Sequence, residues 1–460
     1  MKGGESMNNS SKASHRPDSL IGAIAAFEGI KEACTLLNGP IGCKVYAAYM
    51  AEILAPHARQ LGFSQFTNFY FGQRRVPCTY IDQQDFVYGT EPKVIQALQL
   101  IDSKKPRLIG VINHSGTSLI GDDLNRFIQT SQIRTKTVTI DSSGFTGTYA
   151  YGFQNAVVKI LEKISNKNTE KIPKSVNIIG FSIFHYNWGS DIAELKRMLN
   201  LLGVKVVSVI CSGESIFNLE KASQAELNLL VYEEYGDKIV AFMEKEYGIP
   251  VVGLAIKTPY GFTASETWFN SVAEFFKTTN SPIKKESSRA RAKCYPALLR
   301  ASSLSNDLCG LPFGIFGDSS QVVAMSQFLY EYLGMYPVVI GLKEVGAASY
   351  ESLKSYLTVN SLDTPVLFNP DQYELLNYLN RTKPALILGS SVERKISVLM
   401  DLHVEFIPFS FPYYEKYMLT NRPLIGFNGV LTIMEDILNT LTTLKLNKPQ
   451  SGQDKKEKIA

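Results

Sequence analysis

No run of about 18 consecutive apolar residues occurs in the 460-residue chain, so no segment reads as a membrane-spanning helix. The opening MKGGESMNNSSKASHRPDS holds no apolar signal-peptide core and reads as a flexible arm, so a cytoplasmic protein is expected. Cysteine is scarce: six residues (34, 43, 78, 211, 294, 309), none in a Cys-x-x-Cys pair, which argues against a disulfide frame and a closed zinc site. The five histidines form no His-Glu-x-x-His. Neither G-x-x-x-x-G-K-[ST] nor G-x-G-x-x-G is present, so the chain is not expected to hydrolyse ATP itself or to hold a dinucleotide in the usual way. G-x-S-x-G is missing too, which disfavours a simple hydrolase. The excess of positive charge is only +4 and its lysines are dispersed, leaving no basic stripe for nucleic acid.

What is present is a folded-protein composition, 45% hydrophobic and 20% charged, on a chain too long for one core. Short apolar runs alternate with helix-length amphipathic segments, the βαβ pattern of parallel sheets. One series precedes the polar stretch SNKNTEKIPKS. A second runs through SVNIIGFSIF, VKVVSVICSG, LNLLVY and IPVVGLAI, and a third from LPFGIFGDSS to VEFIPFSF. The charged stretch SPIKKESSRARAK between the last two is expected to be helical or linking. The expected architecture is α/β: three Rossmann-like domains with parallel sheets flanked by helices. The arm covers 1–17 and the domains 18–170, 171–302 and 303–420; a C-terminal helix over 421–446 returns to the first domain, and 447–460 is a tail.

Four segments of the first domain carry the chemistry. DSLIGAIAAFEGIKEACTLLNGPIGC ends in a Gly-Pro-x-Gly-Cys turn. PCTYIDQQDFVYGTEPKV carries an acid ahead of Val-Tyr-Gly. RLIGVINHSGTSLIGDDL is an apolar strand that opens into small polar residues and closes on Asp122 and Asp123. TVTIDSSGFTGTYAYGFQNAV follows a strand with a glycine-dotted loop. In this order the segments resemble component 1 of the nitrogenase superfamily, and the likeness extends from Asp18 to about residue 445.

That resemblance implies iron–sulfur clusters held near the pairing face of two homologous subunits, by thiolates that match iron in softness. Cys43 stands at the cysteine of the family's His-Gly-Pro-x-Gly-Cys motif, with Asn38 in place of the histidine. Asp18 stands where the first cysteine would be, and Ser115 where the third would be. Cys78 lies where some relatives carry an additional cysteine. The implied ligand set is therefore Cys43, Cys78 and Asp18, with Ser115 beside them, and the implied cofactor is a 4Fe–4S cluster or a related one. Against this stand plainer readings: Asp18 as a helix N-cap, Cys78 as a buried small residue, Ser115 as a turn residue. At the positions whose cysteine and histidine hold the catalytic cofactor in nitrogenase α subunits, the chain has Tyr232 and Ile425, so no such cofactor is expected here. Cys211 reads as core.

The resemblance further implies a subunit of a two-component reductase. Its expected partners are a homologous component 1 subunit or a second copy of itself, and an ATP-dependent iron–sulfur reductase dimer. The competing readings are a non-catalytic scaffold for cofactor assembly, a tetrapyrrole reductase subunit, and a cluster-free ligand-binding protein. Of the paired acids, Asp122 is assigned to the helix start and Asp123 to the loop carrying Ser115.

Overall fold

Most strands are short and almost wholly apolar, as befits strands buried on both faces between helices. The computed structural model describes residues 17–45, 76–141, 147–166, 170–253, 256–304, 308–400, 404–415 and 419–446. Residues 1–16 of the expected arm (1–17), the tail (447–460) and the heart of the glycine-dotted loop (142–146) lie outside the described residues.

Three sheets form in sequence, every pairing parallel. The first contains β1 (Ala33–Asn38), β2 (Leu108–Asn113) and β3 (Lys136–Asp141) in that order. Only its edge strand β3 alternates in burial. The second contains β4 (Ser175–Ile179), β5 (Lys205–Val209), β6 (Leu227–Leu230) and β7 (Val251–Val252), ordered β5-β4-β6-β7. The third contains β8 (Pro312–Gly317), β9 (Tyr336–Leu342), β10 (Val366–Phe368), β11 (Leu386–Gly389) and β12 (Glu405–Pro408), ordered β10-β9-β8-β11-β12. The α/β architecture with parallel sheets flanked by helices is therefore the one the chain adopts.

The helix Ser19–Glu28 crosses the helix Tyr149–Ile164 at backbone contact. A Cβ on Gly22 would fall 2.0 Å from the Tyr149 carbonyl oxygen, and one on Gly152 would fall 2.0 Å from that of Ser19. Only glycine permits this approach, which places Asp18 in an antiparallel bridge with Thr148.

Two apolar runs differ from the sequence reading. The apolar run SVNIIGFSIF leaves its strand after Ile179, because Gly180 adopts φ +102 with the Tyr232 backbone packed against it. Phe181, Ile183 and Phe184 remain buried in a turn, so hydrophobicity there marks core rather than strand. The run IPVVGLAI pairs only through Val251–Val252, and residues 254–255 are outside the described set. The charged stretch, expected to be helical or linking, is helical, within Ser281–Leu304. The C-terminal helix Gly426–Leu446 packs on the helices Trp188–Leu201, Gly261–Phe275 and Ser281–Leu304 and on β12. The cause is electrostatic as well as apolar. Asp191 accepts from the Leu424 and Ile425 amides just ahead of that helix (2.6 and 3.1 Å), and Glu194 accepts from the Asn428 amide (3.2 Å).

Candidate metal-ligating strand end

At the carboxyl ends of β1, β2 and β3 the side chains turn polar and interlock. Asn38 donates to Asn113 and to Thr90 (both 2.9 Å), Thr79 donates to Asn38 (2.9 Å), and Asn113 donates to Asp141 (3.2 Å). Thr90 in turn donates to Asp122 at 2.5 Å. Asn38, where the resemblance expected histidine, is thus the hub of a buried network that holds the strand ends in register. Of the two acids, Asp123 rather than Asp122 serves the helix start that follows. Asp123 caps the helix Leu124–Ser131, accepting from the Asn125 and Arg126 amides at 3.1 Å each, whereas Asp122 reaches back to Thr90. The reason is Gly121 at φ +82, which turns the chain so that the second acid, not the first, precedes the helical turn.

Cys43 follows the Gly-Pro turn and is half-buried. Its Sγ lies 3.0 Å from His114 Nε2. Gly39 closes the turn against the same histidine: a Cβ there would stand 2.8 Å from His114 Cβ. His114 itself caps the short helix Ser115–Ile120, its Nδ1 accepting from the Gly116 amide at 3.1 Å. Ser115 Oγ stands 3.5 Å from His114 Nε2 and is buried. Asp18 caps the helix Ser19–Glu28 through the Ile21 amide (3.2 Å). Cys78 is fully buried in a bridge with Leu37 on β1.

The electrostatics tie these groups together. Burial pushes the Cys43 thiol up, and negative charge on Asp18 and Cys78 pushes it further. Burial raises the Asp18 carboxyl against the pull of three backbone amides and of His114. It holds His114 below the usual imidazole range although Asp18 opposes this. Lys44 is pushed down to about 8 by burial, with Cys78 acting against it. In each case burial, which disfavours the charged form, is the largest cause.

Asp18, Cys43, His114, Ser115 and Tyr149 line one side of a cleft of about 990 Å³, which the third unit closes with Phe316, Asp318, Lys343 and Phe411. Cys43 is the one described cysteine on its wall. Among the described residues no three His, Cys, Asp or Glu side chains converge as a ready-made metal site. With a thiol and a carboxyl open to the cleft, Cys43 and Asp18 would hold an iron–sulfur cluster only as part of a larger ligand shell. Cys78 is buried and does not line the cleft. The sequence-predicted residues are thus brought to one strand end, and the contact that sequence reasoning missed is His114. Its signal was present in the INHSGTS loop, next to the position assigned to Ser115.

Around this end the surface is apolar. Val87, Tyr88 and Leu119 are 73%, 85% and 83% exposed, Ile41 and Val45 flank Cys43 in the exposed state, and Phe86 packs over Gly116. Tyr232 and Ile425 offer no donor to a metal: Tyr232 is buried with its hydroxyl 2.8 Å from that of Tyr260, and Ile425 is fully buried. Cys211 is core. No helix among the described residues is long and apolar enough to cross a membrane.

A family model described as nitrogenase component 1 type oxidoreductase matches residues 19–442. The chain is 25% identical over 468 residues to the nitrogenase molybdenum-iron protein beta chain of Methanococcus maripaludis, covering 94% of each chain. It is 24% identical over 438 residues to the B-type subunit of the light-independent protochlorophyllide reductase of Nostoc punctiforme, covering 92% of this chain and 82% of that one. A solved structure of nitrogenase Cp1 at pH 6.5 has the same fold, with a TM-score of 0.77 at 19% identity over 95% of this chain and 94% of that one.

Proposed function

Because the chain belongs to the nitrogenase component 1 type oxidoreductases, we propose that it is one subunit of a two-component reductase that receives electrons from a separate ATP-dependent iron–sulfur reductase. The electrons pass through an iron–sulfur cluster at its interface with a homologous subunit or a second copy of itself. The observation that carries this reading is Cys43: a thiol presented by a Gly-Pro-x-Gly-Cys turn at the mouth of the cleft, with Asp18 and His114 against it. A bound cluster supplies one-electron relay. In this reading Cys43 provides a thiolate and Asp18 a carboxylate. In a twofold dimer each would count twice. Asn38, Thr90 and Asp122 hold the loop that presents them. The exposed Val87, Tyr88 and Leu119 form the apolar part of a pairing or docking face.

A second reading specifies the substrate as a tetrapyrrole. The likeness to a subunit of protochlorophyllide reductase favours it, as does a cleft of about 990 Å³ with Tyr149, Phe316 and Phe411 on its wall.

The test is anaerobic purification with the natural partner, followed by iron and sulfide analysis of wild type and Cys43→Ala. Wild type is expected to carry iron and sulfide together with the visible absorption of a cluster, and the variant to lose most of both. Unchanged iron per protomer in the variant would remove Cys43 as a ligand, and wild type without iron would leave the cluster-free reading. Turnover with the cognate ATPase separates a reductase from an assembly scaffold. Binding of a tetrapyrrole, read as a shift in its visible spectrum, tests the substrate.

A further inference from the structure

The Cys43–His114 contact has two chemical meanings. One is ligation of iron by His114 in place of the cysteine missing at Ser115, but the hydrogen bonds around its ring point elsewhere. The Gly116 amide donates to Nδ1 at 3.1 Å, and an amide N–H can only donate. Nδ1 is therefore the unprotonated nitrogen, and in the neutral ring the proton resides on Nε2. That nitrogen lies 3.0 Å from Cys43 Sγ. We infer that His114 is a positioning residue that donates an Nε2–H···S hydrogen bond to the Cys43 sulfur and holds it in the ligating direction, and that it is not itself a ligand. The inference rests on the proposed cluster role of Cys43.

Ligation through Nε2 would require its proton to move to Nδ1, where it would face the Gly116 N–H, and the helix cap would be lost. Metal-bound histidines do the reverse, donating from the second nitrogen to an acceptor. Two further observations agree. Gly39 has no room for a Cβ against His114, so the turn preceding Cys43 is shaped around the ring. Ser115 Oγ, at 3.5 Å, is too distant to compete for the Nε2 proton. A hydrogen bond to a cluster thiolate withdraws charge from sulfur and favours the reduced cluster, so the contact tunes potential as well as geometry.

The test uses His114→Asn, whose side-chain oxygen can still cap the helix by accepting from Gly116 but whose amide is too short to reach the sulfur. In protein purified anaerobically with its partner, iron per protomer is expected to match wild type and the cluster's midpoint potential to fall. Electron–nuclear spectroscopy of wild type is expected to show an exchangeable proton near a cluster sulfur, absent in the variant, and no directly bound nitrogen. A strongly coupled nitrogen, or major iron loss in His114→Asn, would make His114 a ligand and overturn the inference. An unchanged potential together with unchanged proton coupling would overturn it too, leaving His114 a purely structural cap. If wild type holds no iron, the functional reading fails by itself, and the hydrogen bond is read in the metal-free protein. There, nitrogen NMR of the His114 ring is expected to show the tautomer protonated on Nε2, with Nδ1 unprotonated. A proton on Nδ1 would overturn it.

Discussion

Two polar regions lie at strand ends of this molecule, and they are built on opposite lines. Around the second and third sheets, Glu194 and Glu234 are saturated with partners. Glu194 takes Arg197 in a two-pronged pair at 2.8 Å and Asn428 through both its amide and its side chain. Glu234 accepts from the Ser320 amide at 2.7 Å, from the Ser320 hydroxyl at 2.6 Å and from Ser319. At the Cys43 end, thiol, imidazole and carboxyl instead face a cleft, under a rim of exposed apolar side chains. Charge that is fully hydrogen-bonded inside the protein holds architecture. Soft or titratable donors left facing open space are available for chemistry.

Removing Glu194 should have the largest effect on stability. Glu194→Ala removes the acceptor of the Asn428 amide and side-chain nitrogen and one of the two carboxylates on Arg197, leaving Glu286 at 2.8 Å, and is expected to cost about 3 kcal/mol, read from the urea midpoint. Iron per folded protomer should not change. A loss below about 1 kcal/mol would place this pair with ordinary surface ion pairs and break the comparison.

Asp191 sharpens it through pH. Burial raises this carboxyl to about 8 against the pull of the Leu424 and Ile425 amides, so the folded protein keeps a proton that the unfolded chain releases near pH 4. Its contribution is complete below that pH and is lost as pH rises towards 8, with a slope of at most about 1.4 kcal/mol per pH unit. Asp191→Asn keeps the accepting oxygen and has no proton to release. Its unfolding free energy is expected to be flatter than wild type between pH 5 and 8. Parallel pH profiles would show that Asp191 is already ionised in the fold.

The Asp122 and Asp123 pair offers a smaller contrast within the first unit. Asp123→Ala removes a helix cap and should cost about 1 kcal/mol while cluster content is retained. Asp122→Ala cuts the tie to Thr90 and should lower iron retention more than stability. Identical behaviour of the two variants in both assays would cancel the distinction. The smallest stability effect belongs to Cys43→Ala, within about 0.5 kcal/mol in the metal-free protein, although its effect on iron is the largest. A large destabilisation would return Cys43 to the core.

The alternation of apolar runs with amphipathic segments was enough to read a parallel α/β fold, because a strand covered by helices on both faces has no polar side to show. The same logic failed at Phe181 to Phe184 and in IPVVGLAI, where apolar residues are buried without pairing as strands. Motif order brought Asp18, Cys43, Cys78 and Ser115 to notice, since each occupies a fixed place beside a turn or strand end. What each side chain does there depends on neighbours distant in the chain. Asp18 caps its own helix, while Asn38 joins Thr79, Thr90 and Asn113 across three segments. Which acid of the Asp122–Asp123 pair caps a helix was settled by the left-handed turn at Gly121. The docking of the C-terminal helix was settled by Asp191 and Glu194, more than 200 residues away in sequence. The meeting of His114 with Cys43 spans 71 residues. Local periodicity and turn chemistry are written in neighbouring residues, so the sequence alone determined the layers and their order. Hydrogen-bond partners and charge environments are set by approach in space, so only the tertiary structure decided which polar residues are architecture and which face the cleft.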